Sequence, residues 1–278
     1  MNRRKFIRKS VWGTIGIGAV SGLYTWQVEP FWLEFVKKKI HIKHLPESLK
    51  GKKLMQISDI HVGNRFDFGY IIDAFKQAQK LQPDIVVYTG DYVSYENEQQ
   101  FGQLEKVLKH AVRGSLGTVG IFGNHDYGKN WAEQDVADRI GNQLETAGIQ
   151  MLRNTSVDIQ GLNIIGFDDY WGLNFSPANA LKTYKENKAN IVLCHNPDVC
   201  DLNVWKGYKG WIFSGHTHGG QCKPPFLPPP VLPVRNKNYS AGEIDLGDGR
   251  MLYINRALGH SWQVRFNVRP EITVFELA

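Results

Sequence analysis

The chain holds only three cysteines, Cys194, Cys200 and Cys222, an odd number without paired spacing, which argues against a disulfide framework. It also lacks a clean apolar run of the roughly 20 residues that a bilayer crossing needs. The nearest stretch, Val11 to Trp26, is weakly apolar, Gly-rich and short. No long-period repeat is present, which excludes a solenoid or array. An excess of positive charge is missing from most of the molecule despite a net +6: residues 1–53 carry twelve Lys or Arg against three Glu, so the remainder is net negative by about three. That distribution speaks against nucleic acid as a partner. What is left, 278 residues of ordinary 42% hydrophobic content, suits one sizeable domain with a short appendage.

Five short apolar or β-branched runs stand out: 54–58, 84–89, 119–122, 190–193 and 211–214. Each has the character of a buried strand. Each is followed at once by residues of metal-ligand type, namely Asp59-Ile60-His61, Gly90-Asp91, Gly123-Asn124-His125-Asp126, Cys194-His195-Asn196 and Gly215-His216-Thr217-His218. Helical segments at Tyr70–Leu81 and Gln99–Val112 separate the first three runs, so the early chain repeats a strand-helix unit. An open α/β sheet binds its ligands at the carboxyl ends of its strands, where all seven ligand-type side chains fall.

The donor set suggests the chemistry. Asp59 and His61, two apart on a segment expected to be extended, point to one side and suit one ion. Asp91 has two oxygens and suits a bridge to a second ion, Asn124 adds a neutral oxygen, and His195, His216 and His218 complete the shells. Nitrogen and oxygen donors alone suit manganese, iron or zinc over a soft metal. Two such cations clamp both oxygens of an in-line displacement at phosphorus. His125, beside Asn124, is expected to protonate the leaving oxygen or stabilise the phosphoryl charge. Cys194 is excluded as a ligand because it adjoins His195 and alternation sends its side chain to the opposite face.

In this order, Asp-x-His, Gly-Asp, Gly-Asn-His-Asp, His and Gly-His-Thr-His resemble the calcineurin-like metallophosphoesterase family over roughly Leu54 to Ala278. The resemblance implies an α/β fold of the four-layer αββα sandwich type with a dinuclear centre at the strand ends. It implies that Asp59, His61, Asp91 and His218 hold one metal and that Asp91, Asn124, His195 and His216 hold the other, with Asp126 orienting His125. The Pro-rich stretch after His218, the closing Arg256-Ala257-Leu258-Gly259 and the Arg265 to Ile272 segment resemble a branch of membrane-associated bacterial phosphodiesterases and UDP-2,3-diacylglucosamine hydrolases. That branch implies hydrolysis of a phosphodiester or diphosphate bond in a lipid-linked substrate of the lipid A biosynthesis type. The alternative is an exported phosphodiesterase or phosphatase acting on soluble nucleotides or small phosphate esters. Arg256 and Arg265 are candidates to pair with a second phosphate, and Asp168 is a further candidate in a loop near the site.

Residues 1–45 are expected to form a signal or anchor segment with a linker, and residues 50–278 the enzyme domain, acting as a monomer. Arg3-Arg4 followed by Phe6 resembles a twin-arginine export signal. An uncleaved signal anchor is the first expectation, a cleaved signal the second and an interfacial helix the third, with the enzyme at the cytoplasmic membrane and facing outward. Phe31 to Lys43, mixing aromatics with Lys37 to Lys39, is expected to contact headgroups. The stiff loop from Gly219 to Pro233 is read either as a cover for the domain's core or as a wall meeting acyl chains or the membrane surface.

Overall fold

The computed structural model describes residues 3–278. Twelve strands form two six-stranded sheets. In chain order they are β1 (Glu34–Ile40), β2 (Lys53–Ile57), β3 (Ile85–Thr89), β4 (Gly117–Ile121), β5 (Gln150–Met151), β6 (Thr155–Ile159), β7 (Leu162–Gly166), β8 (Ala189–Leu193), β9 (Gly210–Ser214), β10 (Gly242–Asp245), β11 (Arg250–Ile254) and β12 (Glu271–Leu277). The first sheet runs β1-β12-β2-β3-β4-β5 and the second β10-β11-β9-β8-β7-β6. Parallel pairing dominates the centre of each, from β2 to β5 and from β11 to β7, and hairpins close the second sheet at both edges.

Strand alternation sorts the core into three layers. In β3, Ile85 and Val87 face the second sheet and pack with Val119, Ile164, Ile191, Phe213 and Phe275, while Val86 and Tyr88 face the helices. Those helices are α2 (Gly69–Gln79), α3 (Gln99–Leu108) and α4 (Gln134–Thr146), which bury Phe75, Leu104 and Ile140 on the outer face of the first sheet. Beyond the second sheet, the outer layer is reduced to short turns such as Pro177–Ala180 and Pro197–Asp201, which cover Phe167, Val192 and Ile212. The order is the expected αββα sandwich, with a thin fourth layer.

The amino-terminal segment departs from expectation. Met1 and Asn2, the start of the basic cluster, lie outside the described residues. Arg3–Leu23 is one helix, α1, with no buried residue. Among the described residues no helix is long and apolar enough to cross a membrane, which overturns the signal anchor and the outward-facing placement at the membrane. Four glycines and five Lys or Arg within α1 supply the physical reason. Nor is the stretch up to residue 45 a linker. Strand β1 pairs along its whole length with β12, Lys38 and Lys39 bond Glu243 and Glu276, and Phe31 packs edge-on against Tyr70. Residues expected to touch headgroups therefore build the edge of the first sheet.

Candidate metal centre

Strands β2, β3 and β4 of one sheet and β8 and β9 of the other end at one cleft, and each delivers its ligand-type residues within four positions of its last residue. The turns there are unusual. Asp59, His61, Asp91, His216 and His218 all have positive φ, between 46° and 70°. Left-handed backbone is unfavourable for residues with a Cβ and concentrates at functional sites. Asp59 and His61 thus converge through a left-handed turn, not along the extended segment expected. Gly90 makes this packing possible: at φ 93° it lets three turns meet, since a Cβ there would lie 2.6 Å from the Gly123 nitrogen and 2.7 Å from His195 Nδ1.

The side chains form two adjoining cradles. In the first, Asp59, His61 and His218 bring one donor atom each within 4.8 Å of one another; in the second, Asp91, His195 and His216 do the same. Asp91 Oδ2 lies 3.5 Å from His61 Nε2 and 3.2 Å from His195 Nε2, between the two. Outer contacts fix which nitrogens face inward. His195 Nδ1–H donates to the Thr89 carbonyl at 2.7 Å and His216 Nε2–H to the Pro233 carbonyl at 3.0 Å, since a carbonyl can only accept. When both rings are neutral, that leaves the lone pairs of His195 Nε2 and His216 Nδ1 facing each other 3.3 Å apart. His61 Nε2 and His218 Nε2 also approach each other, at 3.0 Å. Asn124 Oδ1 is buried without a partner. Opposed lone pairs, two carboxylates and an orphaned amide oxygen are what a pair of cations satisfies, so the residues fit a dinuclear metal site.

Electrostatics agree. Burial works against charge on Asp59, but His218 beside it holds its pKa at about 2. Asp91 is likewise held well below the usual carboxylate range, against burial, chiefly by His195 and His125. His195 is pushed well above the usual imidazole value because Asp91 outweighs burial. Burial pulls His61 well down and, with His195 adding to it, His216 to about 3. A proton on His195 does in the metal-free cleft what cations do when bound.

His125 stands over this centre. Its backbone N–H donates to Asp91 Oδ1 at 2.9 Å, and its ring meets that of His61 edge-on at 5.0 Å. Among the described residues Asp126 makes no hydrogen bond to that ring. Its oxygens accept backbone N–H bonds from Asp91, Tyr92, Val93 and Gly123, knotting the Gly-Asn-His-Asp turn to the Gly-Asp turn.

Neither expected phosphate-binding arginine faces the cleft. Arg265 is fully buried, donating to the carbonyls of Arg256, Ala257, Gly259 and Val268 and to His260 Nδ1. Arg256 pairs with Glu271 and with Glu34 on β1. Both hold the 256–268 loop, in which Ala257 takes a left-handed φ of 70°. Asp168 is buried against Arg153 and Tyr127. The cleft that contains the cradles, about 460 Å³, is lined instead by Trp131, Trp171, Gln221, Val231, Ser261 and Trp262. No local pattern marked these, because tertiary folding of four separate loops brings them together. Arg65, which bonds the Ser261 carbonyl and lies over the Trp262 ring, is the guanidinium at this rim.

Two cation cradles of carboxylate, imidazole and amide at the strand ends of an αββα sandwich define a metal-dependent hydrolase. The chain belongs to the calcineurin-like phosphoesterase family, whose model matches residues 52–220. It is similar to phosphodiesterase YaeI of Escherichia coli, 29% identical over 100% of this chain and 99% of that one. It is 30% identical to the metallophosphoesterase YkuE of Bacillus subtilis over 100% and 98%. The UDP-2,3-diacylglucosamine pyrophosphatase LpxG of Chlamydia muridarum is 25% identical, with 95% of this chain and 97% of that protein covered.

Proposed function

We propose that this metallophosphoesterase hydrolyses a diphosphate or phosphodiester bond in a lipid-linked substrate such as UDP-2,3-diacylglucosamine. Asp59, His61, Asp91 and His218 would hold one cation and Asp91, Asn124, His195 and His216 the other, with Asp91 shared between them. A bound pair of this kind lowers the pKa of water and stabilises charge on the attacking and leaving oxygens. His125 then meets the phosphoryl group. Burial lowers its pKa, which favours a neutral ring presenting one N–H to a phosphoryl or leaving oxygen.

The observation that carries the reading is the single Asp91 oxygen between two histidine-lined cradles beneath His125. Support for a lipid comes from the cleft rim. Val231 and Trp262 line the cleft yet stay largely exposed, and the stiff loop carries Phe226 and Leu227 outward into solvent. Leu232 of the same loop and Val234 just beyond it are buried, so one segment covers the core and presents an apolar edge. A soluble polar substrate gives such an edge no role. The similarity to the LpxG pyrophosphatase points the same way.

The test compares UDP-2,3-diacylglucosamine in mixed micelles with a small chromogenic phosphodiester, both with manganese. Release of UMP is expected from the lipid. Replacing Phe226 and Leu227 by Ser is expected to raise KM for the lipid several-fold while the small ester is hydrolysed as before. No turnover of the lipid alongside efficient turnover of soluble esters would overturn the lipid assignment and leave the phosphoesterase.

A further inference from the structure

The His216 side of the cleft carries an aromatic device that the hydrolytic chemistry leaves unused. Trp131 and Trp171 stack with ring centroids 4.7 Å apart and planes at 25°. Trp171 also meets the His216 ring edge-on at 4.5 Å, so the stack adjoins the second cradle directly. The backbone carrying each tryptophan is fixed locally. Asp169, buried, accepts the backbone N–H of Trp171 at 2.7 Å and of Gly172 at 2.9 Å through Oδ2. Trp131 sits at the end of a tight turn in which Asn130 and Trp131 are left-handed, at φ 53° and 57°.

This construction is not explained by core packing. Trp131 keeps 37% of its surface exposed, and both rings line the cleft. One indole face is covered by its partner; the rest of the pair is a flat, π-rich surface beside His216 of the second cradle. Planar rings bind such surfaces by offset stacking, and every nucleobase has a π-face that does so. An acyl chain gains more from the irregular aliphatic rim around Val231 and Leu227.

We propose that Trp131 and Trp171 form the subsite for the base of a nucleoside diphosphate ester, stacking the base while its phosphates reach the cradles. The assignment rests on the phosphoesterase reading above and names which end of the substrate lies toward His216. Asp169 is its positioning residue, and Trp131 is the member of the pair that touches none of the metal-ligating side chains.

Binding of UMP and of ribose 5-phosphate, which lacks the base, is measured by calorimetry on the manganese-loaded protein. Wild type is expected to bind UMP at least tenfold more tightly. Trp131→Ala is expected to reduce that preference by about five- to a hundredfold, the range for losing one base stack, and Trp131→Tyr to retain most of it. Equal affinities in wild type, or a preference that survives Trp131→Ala, would overturn the subsite. Because these probes need no turnover, a protein that prefers UMP but leaves the diacylglucosamine lipid untouched keeps the subsite and loses only the lipid assignment.

Discussion

At the scale of single residues, the centre separates groups that hold cations from groups that act on substrate. Asp91 turns the same oxygen, Oδ2, to both cradles, so Asp91→Asn removes charge from both. His125 reaches the same space, but its structural link to Asp91 runs through its backbone N–H, which an alanine keeps. His125→Ala is therefore expected to retain nearly full metal content while kcat falls ten- to ten-thousand-fold, the range for losing a proton-handling group. Asp91→Asn is expected to lose metal at both positions, read by elemental analysis of the purified variants. A metal-free His125→Ala, or an Asp91→Asn with two metals, would reverse the roles. Asp126 is a warning about reading motifs as single units: its position in Gly-Asn-His-Asp suggests service to the histidine, yet four backbone N–H groups surround it.

At the scale of elements, legibility followed how local the signal was. Strands β3, β4, β8 and β9 were readable because a buried parallel strand is a continuous apolar run, and the ligand residues were readable because each follows such a run directly. Strand β1 was hidden: Glu34-Phe35-Val36-Lys37-Lys38-Lys39-Ile40 is an edge strand whose lysines face solvent and acidic partners, so its charge resembled a surface tail. The left-handed turns at five ligands and the paired tryptophans depend on loops distant in sequence, and no window of residues contains them. These assignments predict opposite outcomes for two truncations. Removing residues 1–23 takes away a helix with no buried side chain and is expected to leave stability and small-ester turnover unchanged. Removing residues 1–43 deletes β1, the buried Ile40 and Ile42, and the Glu29 carboxylate that accepts the Val268 N–H at 2.6 Å. The two isoleucines alone account for roughly 3–6 kcal/mol, a large part of a typical domain's stability. Urea denaturation of both proteins checks this; equal stability would return the first 43 residues to the status of an appendage.

At the scale of the whole molecule, the centre is a seam between sheets, since Asp59, Asp91 and Asn124 come from the first and His195, His216 and His218 from the second. Cations bound there stabilise the assembled sandwich, by about 2.7 kcal/mol for each site at a hundredfold excess over its Kd. Without them, stability depends on pH through the same imidazoles. His61, His216 and His260 have folded pKa values below the ordinary 6.5, so as pH falls through about 6.5 the unfolded chain takes up protons that the folded one refuses. Stability is lost in that direction. His195 has the opposite sign: its folded pKa is raised, so its contribution is complete below about 6.5 and is lost as pH rises through the folded value. The metal-free protein is therefore expected to be most stable near pH 6.5, declining on both sides. Metal binding displaces the His195 proton and needs neutral imidazoles, so manganese should add most at higher pH and progressively less toward pH 5. Thermal melts in EDTA and in manganese across pH 5 to 8.5 test both statements. A melting temperature at pH 7.5 that ignores EDTA would show that no cations bridge the sheets, and a metal-free optimum well above neutrality would remove His195 as the group that holds the proton.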